Sequence, residues 1–187
     1  MQDLPPRRRA TYADLEAAPP NLVAELINGE LVTHPRPRPR HVRVGSLLGT
    51  LLGGPFDLGR DGPGGWWILD EPELHLGDDV VVPDLAGWRR ERMSKLPETA
   101  HFAVAPDWVC EVVSPSTVKR DRGAKRDIYA AHGVRHLWHI DPDARLLESF
   151  ELRDGLWVLL RTFTDEEDAA AAPFGEVPFG LGLLWAE

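Results

Sequence analysis

Apolar residues recur at helical spacing in the first part of the chain and gather into short extended runs after it. The segment TYADLE begins at Thr11 and has an acidic residue three positions on, which is typical of a capped helix start. Two short apolar runs flank Asn28-Gly29, and this pair predicts a β-hairpin. Leucines at helical spacing, followed by Gly53-Gly54-Pro55, predict an amphipathic helix over residues 41–52.

After a glycine-rich loop, the pattern changes to short runs rich in β-branched and aromatic residues, which predict strands. The first three runs cover residues 66–69, 73–76 and 80–88. An apolar strand over residues 108–113 precedes a helix from Ser114 to about His132, and Gly133 predicts its end. Three more strands are expected, the last two joined by Asp154-Gly155, over residues 136–140, 146–152 and 156–163.

The composition is that of one ordinary folded domain. Of 187 residues, 43 % are hydrophobic and 27 % are charged, so we expect a single domain over residues 1–187. No apolar run approaches the ~20 residues of a membrane helix, and none follows the N-terminal arginines as in a secretory signal. The single cysteine, Cys110, excludes an internal disulfide and a zinc site of several thiolates. We therefore expect a cytoplasmic protein without a membrane partner.

The net charge of −9 disfavours a nucleic-acid-binding protein, but the basic residues are clustered. Residues 34–43 contain four arginines and no acidic residue, and residues 119–135 contain six basic residues against two acidic ones. Both patches are compatible with DNA. Each patch taken alone is better explained as a solvated surface.

Two carboxylates interrupt runs that otherwise predict buried strands. Asp84 follows Pro83 directly after three valines, and Glu111 stands inside the run over residues 108–113. A buried carboxylate is unfavourable unless something compensates it, and two on neighbouring strands could share one divalent cation such as Mg²⁺. Taken singly, Asp84 could cap a turn and Glu111 could pair with an arginine. The two together favour the metal.

Lys125 is one of only three lysines, against 18 arginines. On a helical wheel, Ala124, Ile128 and Ala131 form the buried stripe, and Lys125 lies half buried on its flank, beside Asp121. Its ammonium could reach a phosphate or a metal-bound water. The alternative is an i, i+4 ion pair with Asp121 at the surface, which is worth only a few tenths of a kcal/mol.

Several of these residues together resemble a known family. The resemblance rests on Pro83-Asp84, on the run EVVSPST that begins at Glu111, and on the next helix with Asp121, Lys125 and Tyr129. The N-terminal half agrees through TYADLE, through ELINGEL, and through His41 before the leucine-rich helix. Over nearly its whole length the chain resembles the Uma2 family, which is similar in fold to the restriction-endonuclease-like, PD-(D/E)XK nucleases.

The resemblance implies an α/β (α+β) fold in which a central mixed β-sheet is flanked by helices, with the site at one edge. Asp84 matches the acidic residue of the PD element, and Glu111 matches the (D/E) position. The lysine position of that motif is Val113 here, so the basic role passes to Lys125. Supporting roles are implied for Glu25, Asp121 and Tyr129.

Our hypothesis from the sequence is a Mg²⁺- or Mn²⁺-dependent endonuclease that hydrolyses DNA phosphodiester bonds. No feature of the sequence indicates contacts that would distinguish one base from another, so no defined recognition sequence is expected. The expected metal ligands are Asp84, Glu111 and the backbone carbonyl of Val112, and the cation would acidify a bound water. Lys125 would orient that water or stabilise charge at phosphorus. DNA contacts are expected at Arg36, Arg38, Arg40, His41, Arg43, Lys119 and Arg120.

Two other interpretations stay open at this point. The same fold could be a non-catalytic module that binds nucleic acid or protein, which the net charge favours and the intact trio Asp84, Glu111 and Lys125 disfavours. A histidine-based metal enzyme is weaker, because His136 and His139 should face opposite sides of a strand. An exposed tryptophan among the seven could also mark a homodimer contact.

Overall fold

The chain folds into two main β-sheets with helices packed against them. The computed structural model describes residues 8–114 and 118–186. Its helices are α1 (Tyr12–Glu16), α2 (Pro39–Leu52), α3 (Val118–Asp121) and α4 (Ala124–Ala131), and short π and 3₁₀ turns cover Gly53–Asp57 and Leu181–Leu184. Its strands are β1 (Leu22–Ile27), β2 (Glu30–Pro35), β3 (Trp66–Asp70), β4 (Leu74–Leu76), β5 (Asp79–Val81), β6 (Leu85–Arg89), β7 (Trp108–Val112), β8 (His136–Asp141), β9 (Leu146–Arg153), β10 (Leu156–Thr164), β11 (Asp168–Ala169) and β12 (Phe179–Gly180).

The larger sheet is mixed and the smaller one is antiparallel. The larger sheet has the order β10-β9-β8-β7-β6-β3, and only its β7–β8 pair is parallel. A parallel pair needs a long crossover, which α3 and α4 supply between β7 and β8. The smaller sheet has the order β2-β1-β5-β4, and β11 pairs with β12 separately. The architecture is the mixed sheet with flanking helices that the sequence predicted.

Most predicted elements are confirmed, and the structure contains the capping and turn interactions on which the predictions were based. The amide of Thr11 donates to the carboxylate of Asp14 at 2.7 Å at the start of α1. The hairpin of β1 and β2 turns at Asn28 and Gly29, whose φ angles of 54° and 79° are both positive, as a tight hairpin turn requires. The helix expected over residues 41–52 is α2, which begins slightly earlier.

Two predicted elements are wrong because each is divided. The strand expected over residues 80–88 is split into β5 and β6, which belong to different sheets. The break falls at Pro83, which has no N–H for a strand ladder. The single helix expected from Ser114 to His132 is two helices, α3 and α4, and residues 115–117 lie outside the described part of the chain. Gly123 separates them, and a Cβ there would lie 2.7 Å from the carbonyl oxygen of Lys119.

Each face of the larger sheet carries its own apolar core. On one face, α2 packs against residues that include Trp108 and Trp138. On the other, α4 and the smaller sheet enclose a second core with Val109 and Tyr129. Because successive side chains of a strand alternate, Glu111 projects from β7 on the side of Val109, toward α4.

The histidines of β8 pack in the protein interior. Trp138 and Leu137 of this strand enter different cores, so His136 and His139 face opposite sides of the sheet, as expected. Both are buried, and the ring of His139 packs edge-on against Phe150, with 5.5 Å between centroids. They therefore do not share a metal.

The tryptophans offer no exposed ring. All seven lie within the described residues; five are buried, and Trp67 and Trp157 are partly covered. The expectation of a homodimer through an exposed tryptophan therefore loses its basis. Within residues 8–114 and 118–186, no helix has the length and apolar content that crossing a membrane requires.

Candidate functional site

Asp84 and Glu111 lie across from each other where the two sheets meet. Leu85 pairs with Cys110 in the β6–β7 register, and one further step places Asp84 opposite Glu111. The charge of Asp84 acts on Glu111, and both residues line the same cavity. Oδ2 of Asp84 also accepts a hydrogen bond from the Val112 amide at 2.7 Å. The two carboxylates are therefore side by side, while a ligand role for the Val112 carbonyl stays a prediction.

Lys125 reaches this place from α4 and is almost fully buried. Its Nζ lies 2.7 Å from Oε1 of Glu111 and 3.1 Å from Oε1 of Glu25. It also donates to the carbonyl of Val82 at 3.0 Å, on the segment that joins the sheets. The half-buried position predicted for Lys125 is wrong, since only 2 % of the residue is exposed.

The helical wheel misplaced the buried face of α4. Its buried residues are Lys125, Ile128 and Tyr129, whereas Ala131 is exposed. The wheel placed Lys125 on the flank of a stripe formed by Ala124, Ile128 and Ala131, so it centred the stripe on the alanines. Asp121 is buried as well, with 3 % exposure. An ion pair of Lys125 and Asp121 at the surface is therefore excluded.

Glu25 balances the charge of Lys125 from the smaller sheet. It lies on β1, fully buried, and accepts a hydrogen bond from the Val82 amide at 2.9 Å. Nε of Arg120 lies 3.4 Å from its Oε2. Burial would raise the pKa of Glu25, but the charge of Lys125, the ring of His34 and the Val82 amide outweigh it and hold the pKa well below its usual value.

The environment of Glu111 favours the protonated form of its carboxyl group. Burial raises its pKa to about 8, against the opposing charge of Lys125, and the negative charges of Asp121 and Asp84 add to the rise. The hydroxyl of Tyr129 donates to its Oε1 at 2.6 Å. Burial opposes the charged form of Lys125, but Glu111, Glu25 and Asp121 outweigh it and raise the pKa of the ammonium. Lys125 therefore remains charged while Glu111 titrates near neutral pH.

His41 contacts Asp84 directly, which the sequence did not indicate. Its Nε2 lies 2.6 Å from Oδ1 of Asp84. Burial disfavours the charged ring, but the hydrogen bond and charge of Asp84, with Asp121 and Glu71, outweigh it and raise the pKa of His41. The sequence had grouped His41 with the basic patch. No local pattern could have shown that its ring turns toward a residue on the β5–β6 junction.

His41, Asp84, Glu111 and Lys125 line one cavity of about 760 Å³, whereas Glu25 and Tyr129 are not among its lining residues. Asp121 lines it as well. Of the residues expected to contact DNA, those along the same cavity are Arg36, Arg38, Arg40, His41 and Arg120. Arg43 and Lys119 are exposed and are not among its lining residues, so their contact with DNA stays a prediction.

The donor atoms in this cavity suit a hard divalent cation. Asp84 and Glu111 present carboxylate oxygens, each of which can accept more than one bond. Lys125 and Tyr129 use the same oxygen of Glu111, Oε1. Magnesium and manganese prefer such oxygen ligands and complete their shells with water or phosphate. The residues present therefore fit the expected metal.

Comparison with known proteins identifies the fold and the family of the chain. A crystal structure described as "a putative nuclease belonging to DUF820" from Anabaena variabilis superposes with a TM-score of 0.76, at 20 % identity, over 94 % of this chain and 97 % of that one. This likeness confirms the fold class. No curated protein sequence matches the chain. The model of the Uma2 family, described as "Putative restriction endonuclease", matches residues 9–180. Since that match spans most of the chain, the protein belongs to the Uma2 family.

Proposed function

We propose that this protein is a Mg²⁺- or Mn²⁺-dependent endonuclease that hydrolyses DNA phosphodiester bonds without a defined recognition sequence. The observation that carries the proposal is the contact between the Lys125 ammonium and Glu111, at 2.7 Å, in a cavity that Asp84 also lines. Acidic metal ligands next to a fixed cation are what the attack of water on a phosphodiester anion requires.

The roles follow from the contacts of each side chain. Asp84, Glu111 and the Val112 carbonyl would hold the cation, which supplies an acidified water and polarises the phosphate. Lys125 holds Oε1 of Glu111 and places its positive charge where negative charge develops on the phosphoryl oxygens.

The neighbouring side chains keep this machinery in place. Glu25 keeps Lys125 ionised from within the smaller sheet, Tyr129 orients Glu111, and His41 fixes Asp84. Asp121 lines the same cavity and adds negative charge beside Lys125. They are positioning residues, because each acts through a residue that would touch the cation or the phosphate.

The mouth of the cavity supports an anionic polymer as the substrate. Arg36, Arg38 and Arg40 line it and are exposed. Arg36 and Arg38 lie between β2 and α2, where Arg38 is extended with φ −69° and ψ 155°, and Arg40 lies in the first turn of α2. Exposed guanidinium groups on an extended segment can follow a phosphate backbone, which carries no sequence information.

A cleavage assay tests the proposal. Supercoiled plasmid and linear single-stranded DNA are incubated with the protein in Mg²⁺, in Mn²⁺ or in EDTA, and we expect cleavage only with a metal. Asp84→Asn and Glu111→Gln should be inactive, whereas Glu98→Gln, at an exposed position outside the cavity, should cleave like wild type. DNA binding without cleavage by the wild-type protein in either metal would instead establish the non-catalytic module.

A further inference from the structure

Glu73, His75 and His101 form a second cluster of metal-ligating side chains. One carboxylate oxygen and one ring nitrogen from each histidine all lie within 4.8 Å of one another. Among the described residues, these three are the histidine, cysteine or acidic side chains that come together closely enough to hold one metal ion. Only His75 lies in a strand, β4, and His101 belongs to the connection between β6 and β7.

This cluster faces away from the Lys125 site. Leu74 and Leu76 of β4 are buried in the core that α4 covers. His75 stands between them and therefore projects to the opposite face of the smaller sheet. There its ring meets that of Tyr12 from α1, with 5.0 Å between centroids. The two groups of side chains are therefore separate sites.

The backbone holds the cluster in place. The amide of Phe102 donates to the carbonyl of Glu73 at 2.9 Å, and the amide of His75 donates to the carbonyl of Phe102, also at 2.9 Å. The ring of Phe102 stacks on buried Trp88, with 4.6 Å between centroids. His101 is thereby fixed beside β4. Ligands on such a rigid frame need little reorganisation to receive an ion.

The side chains of this cluster already contact one another through hydrogen bonds and ring stacking. Oε1 of Glu73 lies 2.8 Å from Nε2 of His75 and accepts a hydrogen bond from the Tyr12 hydroxyl at 2.9 Å. The rings of His75 and His101 stack with 3.8 Å between centroids and 14° between planes. The ring nitrogens of both histidines and the carboxylate of Glu73 are therefore already gathered at one place, and each can act as a metal ligand.

We propose that Glu73, His75 and His101 bind one Zn²⁺, with Tyr12 orienting Glu73. Two imidazole nitrogens and one carboxylate oxygen are a ligand set that Zn²⁺ takes in three-ligand sites, with the fourth position left to water. Nitrogen ligands disfavour Mg²⁺, and such a site binds Mn²⁺ more weakly than Zn²⁺, so neither ion proposed for the nuclease site is preferred here.

Small movements suffice to admit the ion. Tetrahedral Zn²⁺ with bonds of ~2.0–2.2 Å separates its ligand atoms by about 3.3 Å, so Glu73 and His75 need to part by about half an ångström. The ion replaces the proton between these two groups, and that proton leaves to solvent. A turn of the His101 ring about its Cβ–Cγ bond, a soft torsion, aims its lone pair at the ion. The ion would then link α1, β4 and the loop before β7.

Zinc titration of the metal-free protein tests the proposal. Isothermal titration calorimetry with ZnCl₂ should give one site per chain that is lost or weakened at least ~100-fold in His75→Gln and in His101→Gln, since loss of even an outer-shell partner weakens binding 10–100-fold. His132→Gln is the matched control, because that histidine is exposed and outside the cluster, and it should bind like wild type. Glu111→Gln should also retain the site. Co²⁺ in place of Zn²⁺ should give the visible absorption of a tetrahedral nitrogen–oxygen site in wild type but not in His75→Gln or His101→Gln.

The proposal is overturned if wild type does not bind Zn²⁺, or if both histidine variants bind it like wild type. It is also overturned if Glu111→Gln abolishes the binding, because the ion would then occupy the nuclease site. His101→Gln changes a partly buried loop position next to a backbone-anchored residue, and circular dichroism shows whether the variant is folded. If it is not, Glu73→Gln replaces it with the same expected loss. None of these outcomes depends on DNA cleavage, so this proposal and the nuclease proposal fail separately.

Discussion

Nζ of Lys125 lies 2.7 Å from Oε1 of Glu111, with both side chains almost fully buried. The same ammonium lies 3.1 Å from Glu25, so one cation serves two carboxylates from different sheets. A buried charge without a partner is strongly destabilising. The stability of the protein and the chemistry of the proposed site therefore depend on the same three side chains.

Lys125→Met should lower both stability and turnover. The variant keeps the aliphatic stem but leaves fully buried Glu25 without its ammonium, and breaking such a pair costs about 3–5 kcal/mol. Turnover should fall ~100-fold or more, as when one transition-state donor is removed, with little change in DNA affinity. Urea unfolding and single-turnover cleavage well below the melting temperature measure the two effects.

The two effects of Lys125→Met can be separated. Adding Glu25→Gln should recover part of the lost stability, because it removes the stranded carboxylate, without restoring cleavage. Lys95→Met, at an exposed position, is the matched control and should change neither quantity. Full activity in Lys125→Met would remove Lys125 from the site and leave two carboxylates alone.

The metal-free protein should lose stability as pH rises, because Glu111 loses its proton at a lower pH in the unfolded chain than in the folded protein. The pKa of Glu111 is about 8 in the folded protein against an ordinary 4.5. Between these values the unfolded chain has lost a proton that the folded chain retains, so stability falls with pH by up to about 1.4 kcal/mol per unit. Urea unfolding in EDTA from pH 5 to pH 8 should show wild type losing stability relative to Glu111→Gln.

The same variant distinguishes a metal ligand from a structural ion-pair partner. As a ligand position, Glu111→Gln should abolish metal-dependent cleavage and keep or raise the free energy of unfolding. If the variant melts far below wild type at pH 8, Glu111 instead stabilises the fold as an ionised partner of Lys125.

Removing Arg36, Arg38 and Arg40 together should weaken DNA binding and its salt dependence. Each phosphate contact contributes about 0.9 to the slope of log K against log salt, so the triple alanine variant should lower that slope by about 3. Fluorescence anisotropy over a salt series measures it. Arg60→Ala, at an exposed position outside the cavity, should leave the slope unchanged. An unchanged slope in the triple variant would place the DNA elsewhere.

Acid should destabilise the protein through His139. Burial, with the charges of Arg122 and Arg126, lowers the pKa of His139 from 6.5 to about 3. Below pH 6.5, His139 takes up a proton in the unfolded chain but stays neutral in the folded protein. The free energy of unfolding therefore decreases as pH falls from 6.5 toward 3. His139→Leu keeps the volume and removes the titration, so its stability should fall less steeply between pH 6.5 and 4.

Local sequence signals predicted the elements well because their causes are local. Asn28-Gly29 makes its hairpin turn through its own backbone angles. The break at Gly123 was not predictable, because it depends on where the carbonyl of Lys119 lies once α3 has formed. The burial of Lys125 was missed for a similar reason, since a wheel scores lysine as polar and cannot see the carboxylate on β7 that receives it.

The candidate site was predictable in its members but not in its contacts. The paired carboxylates were singled out because charged residues in apolar runs need compensation, and Lys125 because lysine is rare in this chain and lies on the flank of the predicted buried stripe. The bond of His41 to Asp84 depends on the packing of α2, which no spacing in the sequence reports. Glu73, His75 and His101 were also missed, because the third residue is far from the first two in the chain and joins them only through backbone pairing with β4.

Val82 is the place where the two sheets are joined, and both of its backbone polar groups are bound by the charged pair. Its amide donates to Glu25 and its carbonyl accepts from Lys125. Partial opening that undocks the smaller sheet while the larger one persists would therefore dismantle the site before global unfolding. Such an intermediate, whether during synthesis or under mild denaturant, would lack cutting activity. Cleavage activity is therefore expected to appear last during folding and to be lost first during denaturation.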